Sequence, residues 1–224
     1  MTTKVQIIAN SSEDALMLAK AGTDLVGLAP HNAPNLPSNG LTAARLRELF
    51  ESMPAGAMGV ALTFSTEVDE IAELARVSGA DAVQIIGRSD DVPPEAFAQL
   101  RAAVPTCKWI RAIGMWDRSA IDVALRFQHV ADYLLLDSRA PTGAGQGASG
   151  LTHDWSISAE IVRRVHIPVI LAGGISADNV VAAIRTVHPW GVDSYTLTNI
   201  AGTRKKDPEK GRLLLERAHN ALED

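Results

Sequence analysis

The chain has 224 residues, of which 46% are hydrophobic and 21% charged, and its formal net charge is −5. This length and composition suit one globular domain with a sizeable core, and the acidic balance argues against a protein that coats nucleic acid or an anionic membrane. The single cysteine, Cys107, allows no disulfide within the chain, and in a sequence without a secretion signal it favours the cytoplasm.

Short apolar runs alternate with longer amphipathic segments along the whole chain. Each run is apolar throughout, as is typical of parallel strands buried on both faces. The eight predicted strands are Val5–Ile8, Leu25–Ala29, Gly59–Leu62, Ala82–Ile86, Trp109–Ile113, Tyr133–Leu136, Val169–Ala172 and Gly191–Tyr195. The predicted helices are one that opens at Ser12, then Leu41–Phe50, Val68–Val77, Pro94–Ala103, Ala120–Phe127, Ser158–Val165, Ala177–Val187 and Pro208–Leu222. Strict alternation of eight such units predicts an α/β fold, a single-domain (β/α)₈ TIM barrel over residues 1–224.

In such a barrel, catalytic groups lie at the carboxyl ends of the strands. Asp137 follows three leucines at the end of the sixth strand, where partial desolvation suits a general acid; the alternative is an aspartate that caps a loop or a helix. His31, Asp117 and His153 also follow strands and are candidate proton acceptors. For each of these three, a solvated loop residue is an equally good interpretation.

The pair Gly173-Gly174, directly after the seventh strand, is the strongest local signal. Paired glycines let backbone amides approach an anion, and Ser176 is predicted to open the next helix, which adds positive potential. Thr196 and Leu197, after the eighth strand, offer a hydroxyl and backbone donors for the other half of a phosphate site. The alternative is a tight turn that needs glycine for its positive φ angles.

The glycine-rich stretch Ala140–Gly150 lies between the sixth strand and the sixth helix. Gly147 and Gly150 within it are candidate substrate-binding positions, and we interpret the stretch as a lid over a substrate rather than as a dinucleotide fingerprint. Arg88 and Arg139 follow strands and are candidates to meet an anionic group, although a solvated loop residue is an equally good interpretation of each. Because the sequence contains no metal-ligand spacing, we expect no metal.

Two further features have a structural interpretation. Cys107 precedes the fifth strand, on the face opposite to catalysis, and is expected to be a packed structural cysteine. The short basic cluster Arg204-Lys205-Lys206 is interpreted as a solvated loop.

Together, these segments resemble the phosphoribosylanthranilate isomerase family of tryptophan biosynthesis over nearly the whole chain. The resemblance rests on Leu135-Leu136-Asp137-Ser138, Gly147-Ala148-Ser149-Gly150, Leu171-Ala172-Gly173-Gly174-Ile175 and Gly191-Val192-Asp193. That family performs an Amadori rearrangement, an aldose–ketose isomerisation that converts a phosphoribosyl amine through a Schiff base into a 1-amino-ketose without a cofactor. The resemblance implies a phosphorylated small-molecule substrate and identifies Asp137 as the general acid.

The sequence departs from the family at several positions. The family's catalytic cysteine, which ends the first strand in a Lys-Ile-Cys-Gly motif, falls on Ile8, and isoleucine cannot accept a proton. The family's histidine after the fourth strand is missing from Gln84-Ile85-Ile86-Gly87, its arginine after the second strand has no clear match, and the lysine of its glycine loop is replaced by Leu151.

Three hypotheses about function therefore stay open. The first is an isomerase that acts on a phosphoribosyl amine, and the second is a divergent isomerase, epimerase or lyase that acts on another phosphosugar. The third is a phosphometabolite-binding protein without turnover. Under each hypothesis we expect a monomer or a homodimer, with no nucleic-acid or membrane partner.

Overall fold

The computed structural model describes residues 2–30, 40–138 and 152–222. Within these ranges, eight parallel strands alternate with eight helices, and the strands pair in chain order until the first closes on the eighth. The predicted (β/α)₈ barrel is therefore confirmed. No helix in the described part of the chain is both long enough and apolar enough to cross a membrane.

The bounds of the elements follow the predicted alternation. The strands are β1 (Lys4–Ile8), β2 (Leu25–Leu28), β3 (Met58–Thr63), β4 (Ala82–Ile85), β5 (Lys108–Gly114), β6 (Tyr133–Asp137), β7 (Val169–Leu171) and β8 (Gly191–Ser194). The helices are α1 (Ser12–Lys20), α2 (Ala43–Glu51), α3 (Val68–Ser78), α4 (Pro94–Ala103), α5 (Ser119–Phe127), α6 (Trp155–Arg164), α7 (Val180–Val187) and α8 (Pro208–His219). A 3₁₀ turn at Thr196–Thr198 follows β8.

Side-chain caps fix where several helices begin. The side chains of Ser11, Thr42, Asp154 and Asp207 accept hydrogen bonds from amides in the first turns of α1, α2, α6 and α8. These bonds satisfy amides that have no partner within the helix.

Strand residues alternate between two layers. Outward-facing residues pack against the helices in the larger core, which contains Trp109, Phe97 and Phe127. Inward-facing residues form a smaller cluster inside the barrel. The polar residues at these inward positions include Gln6, Gln84, Asp137 and Asp193. The first two are buried and meet across the barrel, since Gln6 Nε2 on β1 donates to Gln84 Oε1 on β4 at 2.7 Å.

Cys107 is buried just before β5. Burial raises the pKa of its thiol to about 12, so the side chain stays protonated at neutral pH. This placement agrees with the expectation of a packed structural cysteine.

Candidate active site at the carboxyl ends of the strands

Asp137 is the last residue of β6 and is half-buried at the carboxyl end of the barrel. Its Cα partner on β5 is Gly114, and the register of β6 with β7 places Ala172 on its other side. Glycine and alanine therefore occupy the neighbouring positions on the two adjacent strands. The same register continues from β7 to β8 and reaches Asp193, which also faces inward.

Asp193 is a buried carboxyl group inside the barrel. Burial raises its pKa to about 8 and the carboxylate of Asp137 adds to the shift, whereas a hydrogen bond from Gln6 and the cation of Lys206 oppose it. Its Oδ1 atom has no hydrogen-bond partner among the described residues. Asp193 therefore stays protonated at neutral pH beside the charged Asp137. In the sequence, Asp193 is marked only by its place in the Gly191-Val192-Asp193 segment, which predicts no acid–base role for it.

Lys206 corrects the interpretation of the basic cluster as a solvated loop, because this residue is only 3% exposed. Its Nζ donates to the Tyr195 carbonyl at 2.5 Å and to Thr198 Oγ1 at 3.0 Å, and it lies 4.8 Å from the centre of the Tyr195 ring. Burial lowers the pKa of its ammonium group to about 7, against the opposing charges of Asp193 and Asp14. The loop folds back onto α1, where Asp14 Oδ1 accepts the Lys206 amide at 3.2 Å. A titratable cation therefore lies against the turn that follows β8.

Gly173 and Gly174 form a turn directly after β7 that only glycine fits well. Their φ angles are +80° and +65°, in the left-handed region. A Cβ on Gly173 would lie 2.5 Å from the Ser138 amide nitrogen and closer still to its hydroxyl. The tight-turn interpretation is therefore confirmed, and the phosphate role of these glycines stays a prediction.

The predicted helix start beside this turn is wrong. The helix α7 begins at Val180, not at Ser176 or Ala177. The physical reason is the Asn179 side chain, whose Oδ1 accepts the Ser176 amide at 2.9 Å and whose Nδ2 donates to the Gly174 carbonyl at 2.7 Å. These bonds hold the segment as a loop, so the positive potential of the helix start is farther from the glycines than predicted.

The turn after β8 carries Thr196 and Leu197. The Thr196 hydroxyl is buried and has no hydrogen-bond partner among the described residues. The Leu197 side chain is partly exposed, whereas Thr198 is buried and bound to Lys206. The turn is thus held by the contact of Thr198 with Lys206 and by a hydrogen bond from the Asn199 amide to the Thr196 carbonyl.

Two candidate proton acceptors differ in their surroundings. Asp117 is exposed after β5, and hydrogen bonds from Ser119 lower the pKa of its carboxyl group, which weakens it as a base. His153 is bound at both ring nitrogens, by Ser138 at 2.8 Å and by Ser158 at 2.7 Å. Burial lowers the pKa of its imidazole to about 4, so the neutral ring supports the end of β6.

The other candidates are distributed as follows. Arg88 is exposed on the loop after β4, at the carboxyl-end rim. His31, Arg139, Gly147 and Gly150 lie outside the described residues. Within the described ranges, no group of three or more histidine, cysteine, aspartate or glutamate side chains is arranged to hold a metal ion.

Ile8 occupies the position at which the resemblance expects a catalytic cysteine. It is buried at the end of β1 and faces inward, where its side chain fills the space left by Gly27 beside Leu62. The position is therefore apolar, and a proton acceptor has to come from another strand or loop.

The chain is similar to proteins of one family along most of its length. Residues 10–214 match the family described as N-(5′-phosphoribosyl)anthranilate (PRA) isomerase. The N-(5′-phosphoribosyl)anthranilate isomerase of Methanocella arvoryzae is 32% identical over 215 residues, which cover 96% of this chain and 97% of that protein. The isomerase of Haloferax volcanii is 35% identical over 192 residues, or 85% of this chain and 82% of that protein.

Solved structures agree with these sequence relatives. The crystal structure of phosphoribosyl anthranilate isomerase from Thermotoga maritima matches with a TM-score of 0.78 at 25% identity, covering 96% of this chain and 98% of that one. Another phosphoribosyl anthranilate isomerase matches with a TM-score of 0.76 at 23% identity and with the same coverage. That structure is a complex with reduced 1-(o-carboxyphenylamino)-1-deoxyribulose 5-phosphate.

Proposed function

Because the chain belongs to the N-(5′-phosphoribosyl)anthranilate isomerase family, we propose that it isomerises a phosphoribosyl amine to the corresponding 1-amino-ketose. The observation that carries this proposal is the pair of inward carboxyl groups, Asp137 and Asp193, on either side of Ala172 at the carboxyl end of the barrel. The favoured substrate is N-(5′-phosphoribosyl)anthranilate, the compound in the names of the relatives. A cytoplasmic step of tryptophan biosynthesis is part of the same proposal.

Asp137 acts as the general acid of the first step. Its carboxyl group gives a proton to the ring oxygen of the sugar, and the bond between that oxygen and C1′ breaks. The lone pair of the amine nitrogen then forms the double bond to C1′, which gives a cationic Schiff base. The half-buried position of Asp137, with Gly114 and Ala172 beside it, gives the sugar access to the carboxyl group.

Asp193 acts as the base of the second step. Its carboxylate takes the proton from C2′, and the electrons of that bond form a C1′–C2′ double bond while the nitrogen becomes neutral. The resulting enol loses its hydroxyl proton and gains a proton at C1′, which gives the ketose. The pair shares one proton. At rest this proton lies on Asp193, whose pKa is raised to about 8 beside Asp137, so in this proposal it passes to Asp137 before the ring opens, and Asp193 regains a proton from C2′.

The phosphate group binds at the turns after β7 and β8. Backbone amides of Gly173 and Gly174 approach it because no Cβ shields them, and Thr196 and Leu197 supply a hydroxyl and amides from the next strand. Gly147 and Gly150 are proposed to close over the sugar, and Arg88 and Arg139 to meet an anionic group of the amine half. His31 and Asp117 remain alternative bases.

The first test replaces the acid. We expect Asp137→Asn to lower kcat by about 10² to 10⁴ on N-(5′-phosphoribosyl)anthranilate, because an amide cannot donate the ring-opening proton as a carboxyl does. Asp122→Asn, an exposed carboxylate on α5, is the matched control and keeps the wild-type rate. A wild-type protein that is soluble yet fails to rescue a tryptophan auxotroph lacking this isomerase contradicts the anthranilate reaction. Turnover of another phosphosugar that depends on Asp137 would support the divergent enzyme.

An experiment on hydrogen exchange at C2′ distinguishes the candidate bases. In deuterated water, the base exchanges this hydrogen with solvent, so Asp193→Asn is expected to abolish exchange while Asp117→Asn retains it. The opposite result would assign the base to Asp117. Loss in neither variant would leave His31 as the acceptor, and His31→Gln is the variant that checks it.

A further inference from the structure

The side chain of Lys206 is held out of solvent against the turn that follows β8, and the residue is only 3% exposed. Its Nζ atom donates to the Tyr195 carbonyl at 2.5 Å and to Thr198 Oγ1 at 3.0 Å, which lie at the two ends of this turn. Both acceptors are neutral groups. The hydrogen bonds therefore fix the ammonium group in place without neutralising its charge, which acts on the ionisable groups around it.

The ammonium group of Lys206 lies on the side of β8 that faces the barrel interior. Alternate residues of a strand point to the same face, so Tyr195, directly after β8, faces as Asp193 does. The Tyr195 ring accordingly packs against the inner cluster, and Lys206 Nζ lies 4.8 Å from its centre. The cation is thus placed at the end of the strand that carries Asp193 and on the same side of it.

The ionised form of Asp193 depends on a small set of neighbours. Its Oδ1 atom has no hydrogen-bond partner among the described residues. A hydrogen bond from Gln6 and the charge of Lys206 favour the carboxylate, whereas burial and the charge of Asp137 oppose it. Because Asp193 and Lys206 are both buried, water screens their attraction little. Lys206 is thus the cation that favours an ionised Asp193.

The other charged groups near Lys206 lie on α1, on α8 and in the loop itself. Asp14 on α1 is buried and favours the ammonium form of Lys206, whose backbone amide donates to Asp14 Oδ1 at 3.2 Å. Lys210 on α8 donates from Nζ to a backbone carbonyl at 2.8 Å. Arg204 is exposed and acts by its charge on the Tyr195 phenol, whose pKa burial raises above its usual value. Asp14 therefore helps to keep Lys206 charged, and the phenol stays neutral at physiological pH.

We propose that Lys206 is a positioning residue whose ammonium group, held against the turn after β8, is the counter-charge that stabilises the ionised form of Asp193. The inference deepens the proposed function and rests on it for the role of Asp193 as the base. In that mechanism the shared proton passes from Asp193 to Asp137 before the ring opens. The charge of Lys206 favours this transfer, because it stabilises the carboxylate that the transfer creates. Lys206 itself touches no reacting atom.

The first experiment follows the ionisation of Asp193 directly, without turnover. The carboxyl carbon of Asp193 is isotopically labelled, assigned by its loss in Asp193→Asn, and its magnetic resonance signal is followed as pH rises. We expect Lys206→Met, which keeps the side-chain length but not the charge, to raise the pKa of Asp193 by about 0.5 pH unit. Lys206→Arg supplies a permanent cation and should lower this pKa below the wild-type value. Lys205→Met, at the exposed residue beside it, is the matched control and leaves the pKa unchanged.

The second experiment measures kcat on N-(5′-phosphoribosyl)anthranilate as a function of pH. Burial lowers the pKa of Lys206 to about 7, so this residue is charged at about pH 6 and loses its charge as pH rises. We expect kcat of Lys206→Met to be about tenfold below that of the wild type at about pH 6, and the difference to narrow above about pH 7. A role in packing alone would lower kcat by the same factor at every pH.

The outcomes separate this inference from the proposed function. An unchanged Asp193 pKa in the folded Lys206 variants overturns the inference, and so does a shift in the same direction in both. Asp193→Asn gives a reciprocal test without a change at Lys206, because loss of the carboxylate should lower the pKa of the ammonium group, and an unchanged value there overturns the inference as well. Opposite shifts in Lys206→Met and Lys206→Arg, in a protein that turns nothing over, support the inference and contradict the proposed isomerisation.

Discussion

Asp193 illustrates at the residue scale what a single buried carboxyl group does to a fold. Burial opposes its ionised form, and the neighbouring Asp137 carboxylate opposes it further, so its pKa rises from 3.8 to about 8. A raised pKa in the folded state means that the folded chain holds a proton that the unfolded chain releases between these two values. Because the folded chain retains this proton, the free energy of unfolding depends on pH through the same residue that is proposed for catalysis.

The first consequence is a dependence of stability on pH. A group whose pKa is raised in the folded state stabilises the fold at pH values below its unfolded pKa, and this contribution is lost as pH rises through the folded pKa. For Asp193 the loss runs from about pH 4 to about pH 8. We expect the free energy of unfolding, measured in urea, to fall by up to about 1.4 kcal/mol per pH unit from this residue. Asp193→Asn removes that part of the slope.

The pH slopes of the wild type and of Asp193→Asn are best compared between about pH 5 and about pH 7, because Lys206 titrates above this range. The lowered pKa of Lys206 has the opposite sign and adds stability as pH rises above about 7. Asp122→Asn, the exposed control on α5, should follow the wild-type slope. Identical slopes in the wild type and in Asp193→Asn would show that the Asp193 proton is released in the folded state.

At the scale of elements, the glycine turn after β7 joins two neighbouring strands at the rim. Gly173 approaches Ser138, which follows Asp137 and binds His153 just before α6. The end of β6, the start of α6 and the turn after β7 therefore share one packing arrangement. We therefore expect a change in the turn to shift Asp137, the proposed acid, through this contact.

We expect Gly173→Ala to destabilise the fold and to impair turnover together. The left-handed φ of +80° costs an alanine about 1–2 kcal/mol, and the clash with Ser138 adds to this cost. Gly202→Ala is the matched control, because its φ is +72° but a Cβ there meets no atom within 4 Å. Urea unfolding should show a larger loss for Gly173→Ala, and kcat should fall in that variant alone. Equal losses of stability would mean that Ser138 moves aside without cost.

The sequence predicted those elements whose type and burial follow from the pattern of their own residues. Apolar runs and amphipathic periods gave the eight strands, the eight helices and the barrel, and strand ends located Asp137 and Gly173. The start of α7 was predicted too early. The Asn179 side chain makes hydrogen bonds that take the place of the first helical bonds, and residue composition does not predict which of the two sets forms. The burial of Lys206 was missed because it depends on α1, far away in sequence, whose Asp14 holds the loop. Four candidate site residues lie outside the described ranges and stay predictions.

At the scale of the whole molecule, closure of the barrel joins the first and last units into one rim. Tyr195, after β8, donates its hydroxyl proton to Asn10 Oδ1 after β1 at 2.8 Å, and Asn10 Nδ2 donates to the Arg204 carbonyl at 2.5 Å. The turn that carries Thr196 is thus held by contacts that exist only while the β1–β8 seam is closed. A ligand on this turn therefore binds the closed barrel and not the unfolded chain.

Inorganic phosphate should consequently raise the melting temperature of the protein. A ligand that binds only the folded state adds about 2.7 kcal/mol of stability at a concentration of 100 times its Kd. For a chain of this size that corresponds to a rise of about 5–10 °C in a calorimetric scan. Chloride at matched ionic strength is the control for screening, and Gly173→Ala should show a smaller rise. An equal rise with chloride, or in Gly173→Ala, would place the phosphate elsewhere. Because this stabilisation requires no turnover, it tests the binding site separately from the chemistry assigned to Asp137 and Asp193.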